Sequence, residues 1–301
     1  MTPDADFAAA RDICQRHAKS FYFASHFLPP AKRYNAYAVY AFCRLLDDAV
    51  DEAIDEKSQL EHLIEFDELL DGAYEGNSPD EPIERDKALR AFAITVKQCG
   101  IPKRLFQDLA EGCRMDLTVS RYADWPALEK YCYHVAGVVG VIMCHVFDLK
   151  NEAAHGQAIA MGNAMQLTNI LRDVKEDLVR GRIYLPQDDM ARFGVTEGAL
   201  AGGQVDDAFV SLMKFEIDRA RTFYAHGSAG LQMIPNDGSR LTAATMATVY
   251  AGILDAIERQ GYDVFARRAR IGTPGKLIRL AKAWRLTRRP PVLSPGTLGE
   301  G

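Results

Sequence analysis

An all-α fold, built as a single helical domain, is the architecture this 301-residue chain predicts. Three observations lead to helices. Apolar residues recur at helical spacing through most of the sequence. Breakers rich in Pro and Gly separate those stretches. No alternating apolar and polar run is followed by a hairpin turn.

The first periodic stretch, 6–27, stops at "LPP" (28–30), where two prolines remove backbone donors and restrict the residue before them. The second, 31–54, carries "YNAYAVYAFCRLL", apolar on most sides. The third, 57–75, ends at "GNSPDEP" (76–82), and the fourth, 86–99, at "GIP" (100–102). There glycine suits the end of one helix and proline the start of the next. A helix over 102–119 follows, then "DWP" (124–126), with proline at the first turn of a helix over 126–148. The longest stretch, 152–180, leads into "IYLPQDDMARFGVTEGALAGGQV" (183–205), which reads as irregular connection. Helices over 206–229 and 239–261 are divided by "IPNDG" (234–238), and a last one covers 275–286. The Pro- and Gly-bearing tail, 289–301, is expected to be disordered. With no repeat and no dividing linker, residues 1–288 read as one domain.

Composition narrows the function classes. The chain is 48% hydrophobic and 26% charged with a net charge of −5, which speaks against a general nucleic-acid binder. The six cysteines show neither a CxxC nor a zinc spacing, so they read as reduced core residues of a cytoplasmic protein. The acidic start "MTPDADFAAARD" is not a signal peptide, and "VAGVVGVIMC" is too short to span a bilayer. A basic run, "RRARIGTPGKLIRLAKAWRLTRR", reads first as a solvated helix face and second as a contact with a membrane surface.

Two acidic clusters carry the chemistry. At ~100° per residue, Tyr40, Arg44, Asp47 and Asp51 fall within about 60° of one another on a helix, with Asp48 to one side. Gln166, Asn169, Asp173 and Asp177 fall within about 80° on another, beside an apolar sector of Leu167, Ile170, Leu171, Val174 and Leu178. One acidic i,i+4 pair is usually a solvated face. Two such pairs, each near an arginine and each beside apolar helix, suit two acidic walls of a cavity. Burying paired carboxylates requires a cation or water. Oxygen ligands in line suit Mg²⁺, which keeps substrate phosphates as partners and stabilises a departing diphosphate. Arg44, Arg172 and Lys175 could hold remaining phosphate charge. No GxSxG, P-loop or GxGxxG occurs, and His17, His134 and His145 read as core or pocket-lining residues.

In order along the chain, "HAKSFYFASHFLPP", "YAFCRLLDDAVDE", "CRMDLTVSRYADWPALEKYCYHVAGVVG", "QLTNILRDVKEDLVRGRIYLP" and "YAGILDAIERQGYDVFARRARI" resemble the signature blocks of the squalene/phytoene synthases, over about residues 17–287. The resemblance implies an all-α enzyme, an isoprenoid-synthase-type helical bundle around a central cavity, that joins two prenyl diphosphates head to head through a cyclopropyl diphosphate. It implies Mg²⁺, with Mn²⁺ as a substitute, bound by Asp47, Asp51, Asn169, Asp173 and Asp177, with Asp48 in second line. It implies diphosphate contacts from Arg44, Arg172 and Arg267, with Lys19 and Ser20 near the entrance. Tyr40, Tyr131 and Tyr250 match pocket tyrosines, whose rings can stabilise a carbocation without trapping it. Gln166 would border the second motif, and Val135, Val139 and Gly140 the channel for the tails. The blocks look most like those of phytoene synthases, which use two geranylgeranyl diphosphates and no NADPH. The runner-up joins two farnesyl diphosphates to presqualene diphosphate, squalene or dehydrosqualene. Ser25 and Tyr37 lie on elements expected to border the tail channel, and a small Ser25 favours longer tails. A terpene cyclase acting on one diphosphate and a non-catalytic lipid-binding relative are the readings from other classes.

Overall fold

The computed structural model describes residues 4–51, 56–77, 83–149 and 151–288, with the side chains of 47–51 and 56–60 outside that description. Fifteen α-helices follow one another among the described residues, and the nearest thing to a sheet is one bridge between Arg121 and Ile183. They are α1 (Ala5–His17), α2 (Lys19–Ser25), α3 (Pro30–Asp51), α4 (Glu56–Glu75), α5 (Glu84–Cys99), α6 (Lys103–Thr118), α7 (Trp125–Cys132) and α8 (Val138–Val146). Then come α9 (His155–Arg172), α10 (Val174–Val179), α11 (Gln187–Phe193), α12 (Glu197–Ala201), α13 (Asp207–Ala229), α14 (Ser239–Arg259) and α15 (Thr273–Thr287).

Side-chain caps set several of the starts. Asp124 accepts from the Ala127 amide, Thr196 from Ala199 and Asp206 from Phe209, each satisfying an otherwise orphaned N–H. Gly100, at φ +60°, ends α5 in the left-handed conformation that costs other residues most.

Three of the expected helices depart from one regular α-helix, two by a break and one by a change of winding. The 6–27 stretch breaks at Ala18 (φ −123°, ψ 57°), which lets α2 turn away from α1. The 126–148 stretch is continuous but changes winding, with a π-helical turn over Tyr133–Gly137 between α7 and α8. Such turns re-aim side chains and are common at functional sites. This continuous segment, Trp125–Val146, is long and apolar enough to cross a membrane by length and composition, contrary to the expectation from its longest apolar run. Here its π turn and α8 pack against α6 and α9 as core. The 152–180 stretch breaks at Asp173 (φ −107°, ψ 17°), between α9 and α10. The connection at 183–205 is more ordered than expected, since it holds α11 and α12.

The core lies in two main bodies. One gathers apolar side chains of α7, α9, α13 and α14, the other those of α3, α5, α6 and α8. In the second, Phe42 stacks on Phe92 with ring centroids 3.7 Å apart, and Phe106 meets both edge-on. Helix α9 runs between the bodies, against α13 and α14 on one side and the π turn and α8 on the other. Small residues permit that approach. A Cβ on Gly162 would lie 2.2 Å from the Ala136 carbonyl oxygen, and one on Gly140 2.3 Å from that of Ala158.

Candidate active site

A cavity of about 720 Å³ opens where α2, α3, α8, α9 and α14 face one another. Its volume lies in the range of sites for sizeable organic ligands. Most of its wall is apolar, with Phe21, Val39, Met143, Phe147, Met161 and Met246 among the contributors. Polar side chains supply the rest. Arg16, His17, Lys19 and Ser20 come from the α1–α2 junction, Tyr40 from α3, Gln166 and Asn169 from α9, Tyr250 from α14, and Arg268 and Arg270 from the segment before α15. The cavity therefore suits a molecule with a long hydrocarbon portion and an anionic head.

The expected residues fall into three groups. Lys19, Ser20, Tyr40, Val135, Val139, Gly140, Gln166, Asn169 and Tyr250 all border the cavity. Tyr40 packs against Phe21, ring centroids 5.9 Å apart. Asp47, Asp48 and Asp51 belong to the last turns of α3, but their side chains lie outside the described residues. Arg44, one turn after Tyr40, is half-buried.

The third group lies behind the wall. Across the break the Asp173 amide donates to the Asn169 carbonyl and the Asp177 amide to the Asp173 carbonyl, both at 2.9 Å. Asp173 accepts from Arg172 (Nε to Oδ1, 2.7 Å; Nη2 to Oδ2, 2.5 Å) and from Arg268 (Nε to Oδ1, 2.6 Å; Nη2 to Oδ2, 2.7 Å). Burial pushes this carboxyl up, but the two guanidiniums outweigh it and hold the group below its ordinary range. Asp177 borders a small neighbouring recess with Arg182 and Tyr184. Burial, reinforced by the charge of Asp173, pushes its carboxyl up to about 7. Tyr250 lies beside this cluster, and burial raises its phenol while Arg172 opposes that rise.

Several expectations are corrected. Arg268, not Arg267, borders the cavity and reaches Asp173; Arg267 is exposed, and its carbonyl accepts from Gln260. Tyr131 is buried in the core instead of bordering the cavity. It stacks on Tyr184 and donates to Asp116 at 3.0 Å, while Tyr184 donates to the other oxygen of Asp116 at 2.7 Å. Lys175 donates to the Phe265 carbonyl, away from the cavity polar groups. Ser25 and Tyr37 are both buried and share a 2.8 Å hydrogen bond, so they belong to the packing beneath α2 and not to the channel wall.

Sequence reasoning missed Arg16, Arg268, Arg270 and Asp116. In "FARRAR" only the chain path after α14 decides which arginine turns inward. Asp116 stands in the quoted block "CRMDLT", yet a lone acid on an amphipathic helix reads as solvated.

Among the described residues no three His, Cys, Asp or Glu side chains gather as a metal site. The second motif nevertheless fits a hard cation. The Asn169 Oδ1 is buried without a hydrogen-bond partner, and Asp177 is a desolvated carboxylate near a second acid. Each has the unmet electrostatic need that an oxygen-coordinated divalent ion fulfils. Asn169 of α9, Asp173 at the break and Asp177 of α10 are thus the residues that would hold it.

Comparison with known proteins identifies the family. The profile of the squalene/phytoene synthase family matches residues 14–274. The 15-cis-phytoene synthase of Synechocystis is 40% identical, over 94% of this chain and 86% of its own. The phytoene synthase of Arthrospira platensis is 38% identical, over 94% and 93%. A solved dehydrosqualene synthase in complex with a ligand superposes with a TM-score of 0.83 at 32% identity, covering 93% of this chain and 95% of its own. The squalene synthase of Alicyclobacillus acidocaldarius superposes with a TM-score of 0.78 at 30% identity, covering 86% and 95%. By sequence, helical architecture and cavity, the chain is a member of the squalene/phytoene synthase family.

Proposed function

We propose that the protein condenses two molecules of geranylgeranyl diphosphate head to head, through a cyclopropyl (prephytoene) diphosphate, to phytoene. The observation that carries this reading is the cavity, apolar over most of its wall and bordered by arginine and lysine side chains at its polar groups. The phytoene synthases at 38–40% identity support the longer substrate.

A divalent cation, Mg²⁺ or Mn²⁺, would neutralise diphosphate charge and assist its departure. Asn169, Asp173 and Asp177 would hold it from one side, and Asp47 and Asp51, with Asp48 behind them, from α3. Lys19, Ser20, Arg44 and Arg268 bind and orient diphosphate oxygens, while Arg172 keeps Asp173 ionised. The apolar wall around Val135, Val139 and Gly140 aligns the tails and excludes water, which would otherwise capture a carbocation. Tyr40 and Tyr250 present rings or phenol oxygens to the developing positive charge. Desolvation keeps the Tyr250 phenol protonated and non-nucleophilic. The first ionisation expels one diphosphate, and the allylic cation alkylates the second substrate's double bond with loss of a proton. The second ionisation expels the remaining diphosphate, and rearrangement ends with loss of another proton. Both charges are discharged as protons, so no NADPH is consumed.

The solved dehydrosqualene synthase at 32% identity favours a second reading, two farnesyl diphosphates giving a thirty-carbon product. Quenched reactions treated with phosphatase separate the two. The proposal predicts a forty-carbon cyclopropylcarbinol alcohol from geranylgeranyl diphosphate; its thirty-carbon counterpart from farnesyl diphosphate alone would establish the second.

A further inference from the structure

We infer that the outer face of α15 is a docking surface for an anionic lipid bilayer. Leu277, Ile278 and Trp284 are 55%, 70% and 46% exposed, a rare concentration of large apolar side chains in water on one helix. At ~100° per residue Leu277, Ile278, Ala281, Trp284, Arg285 and Arg288 share about 120° of its circumference. The opposite side is anchored to the body. Ala283 is buried against Leu231 and Ala244, the Arg279 guanidinium pairs with Asp255, and the Arg279 carbonyl accepts from Thr248. The exposed apolar ridge is therefore not a frayed helix but a fixed feature of the surface.

Charge selects the occupant. The chain carries a net charge of −5, yet residues 267–288 hold eight Lys and Arg and no acid. Arg268 and Arg279 are engaged with Asp173 and Asp255. Lys282, Arg285 and Arg288 remain around the apolar ridge, and the Arg288 guanidinium lies over the Trp284 ring at 3.5 Å. A ridge of Leu, Ile and Trp fringed by long basic side chains matches the interfacial helix of a peripheral membrane protein, with apolar groups below the headgroups and cations among the phosphates. A second copy fits less well, because a two-fold contact through this face would bring the same arginines together.

Position gives the surface a use. Leu231, which Ala283 covers, also borders the cavity, so a bilayer on α15 lies about one helix diameter, ~10 Å, from the cavity wall. This last step rests on the proposed hydrocarbon product, which needs an apolar acceptor; the docking itself does not.

The test is flotation of the full-length protein with phosphatidylcholine vesicles, with and without phosphatidylglycerol. Wild type should float with the anionic vesicles at low salt and release as salt rises. Each surface cation contributes about fivefold to partitioning, so Lys282→Glu with Arg285→Glu should lower it at least about twentyfold. Ile278→Glu should lower it as well, and Trp284 emission should shift to the blue on binding, a shift absent in Trp284→Phe. Condensation assayed in detergent should be unchanged in these surface variants, which separates loss of docking from loss of catalysis. No flotation of wild type, equal flotation of the variants, or a dimer that Ile278→Glu dissociates without any lipid binding would each overturn the inference. Flotation without a forty-carbon product would leave it standing and overturn the proposed reaction instead.

Discussion

Arg268 grips the carboxylate of Asp173 with two parallel hydrogen bonds, Nε to Oδ1 at 2.6 Å and Nη2 to Oδ2 at 2.7 Å. The bond ties the segment after α14 to the break between α9 and α10, residues separated by 95 positions. Since Arg172 holds the same carboxylate, one acid carries two guanidiniums, and Arg268 also borders the cavity. That suits an anionic substrate head before any metal binds.

Arg268→Ala should therefore lower kcat/KM for the prenyl diphosphate by about 10²-fold, the loss expected when one cationic donor aimed at a departing diphosphate is removed. Arg267→Ala should change it less than about twofold, as an exposed side chain without a role at the cavity. Steady-state kinetics on the pair decides between adjacent arginines that the sequence leaves indistinguishable.

Asp47→Asn and Asp173→Asn should each nearly abolish turnover while leaving the far-ultraviolet dichroism helical. Each removes a negative charge from one of the two proposed walls, and electrostatic stabilisation of a leaving group is worth about 10²–10³ per interaction. Near-normal turnover in either folded variant would remove the two-wall account.

Much of this was legible in the sequence. Helical spacing located most of the long helices, and the 3.6-residue period placed Asn169, Asp173 and Asp177 on one stripe. Backbone i→i+4 hydrogen bonds bridge the break at Asp173, but Asn169 borders the cavity while Asp177 borders the neighbouring recess. What was not legible depends on tertiary packing. Tyr131 reads as a pocket residue, but its hydroxyl is claimed by Asp116 from α6, and only the packing of α6 against α7 and the π turn shows that. Ser25 reads as part of an element bordering the channel, and α2 does border the cavity, but Ser25 itself is buried against Tyr37. The π turn leaves no residue signature that helical periodicity can detect.

Gly162→Ala should destabilise the fold by about 2–3 kcal/mol, because its methyl would meet the backbone of Ala136 and not a yielding side chain. Thermal unfolding measures this. Gly156→Ala, on the same helix with open space around it, should be neutral or slightly stabilising.

Glu216 is fully buried beside Arg219, which also reaches Asp189 and lies over the Trp125 ring. Burial pushes its carboxyl up to about 7, with Arg219 opposing and Asp189 adding to the rise. An acid with a raised folded value binds its proton more tightly when folded. Its contribution is therefore fully present below the unfolded carboxyl range, about 4.3, and is lost as pH climbs through about 7. Urea midpoints measured across that window should fall with rising pH in wild type and fall less in Glu216→Gln. An unchanged slope in the variant would show that Glu216 is not the group responsible.

The most direct test of the central claim is the carbon number of the product. Purified protein is incubated with Mg²⁺ and no NADPH, with geranylgeranyl and farnesyl diphosphate offered separately, and the extracted hydrocarbons are identified by mass spectrometry. The account predicts a forty-carbon hydrocarbon with a conjugated triene at its centre from geranylgeranyl diphosphate. A twenty-carbon cyclised hydrocarbon, or a thirty-carbon product from farnesyl diphosphate with none from the longer substrate, would contradict it.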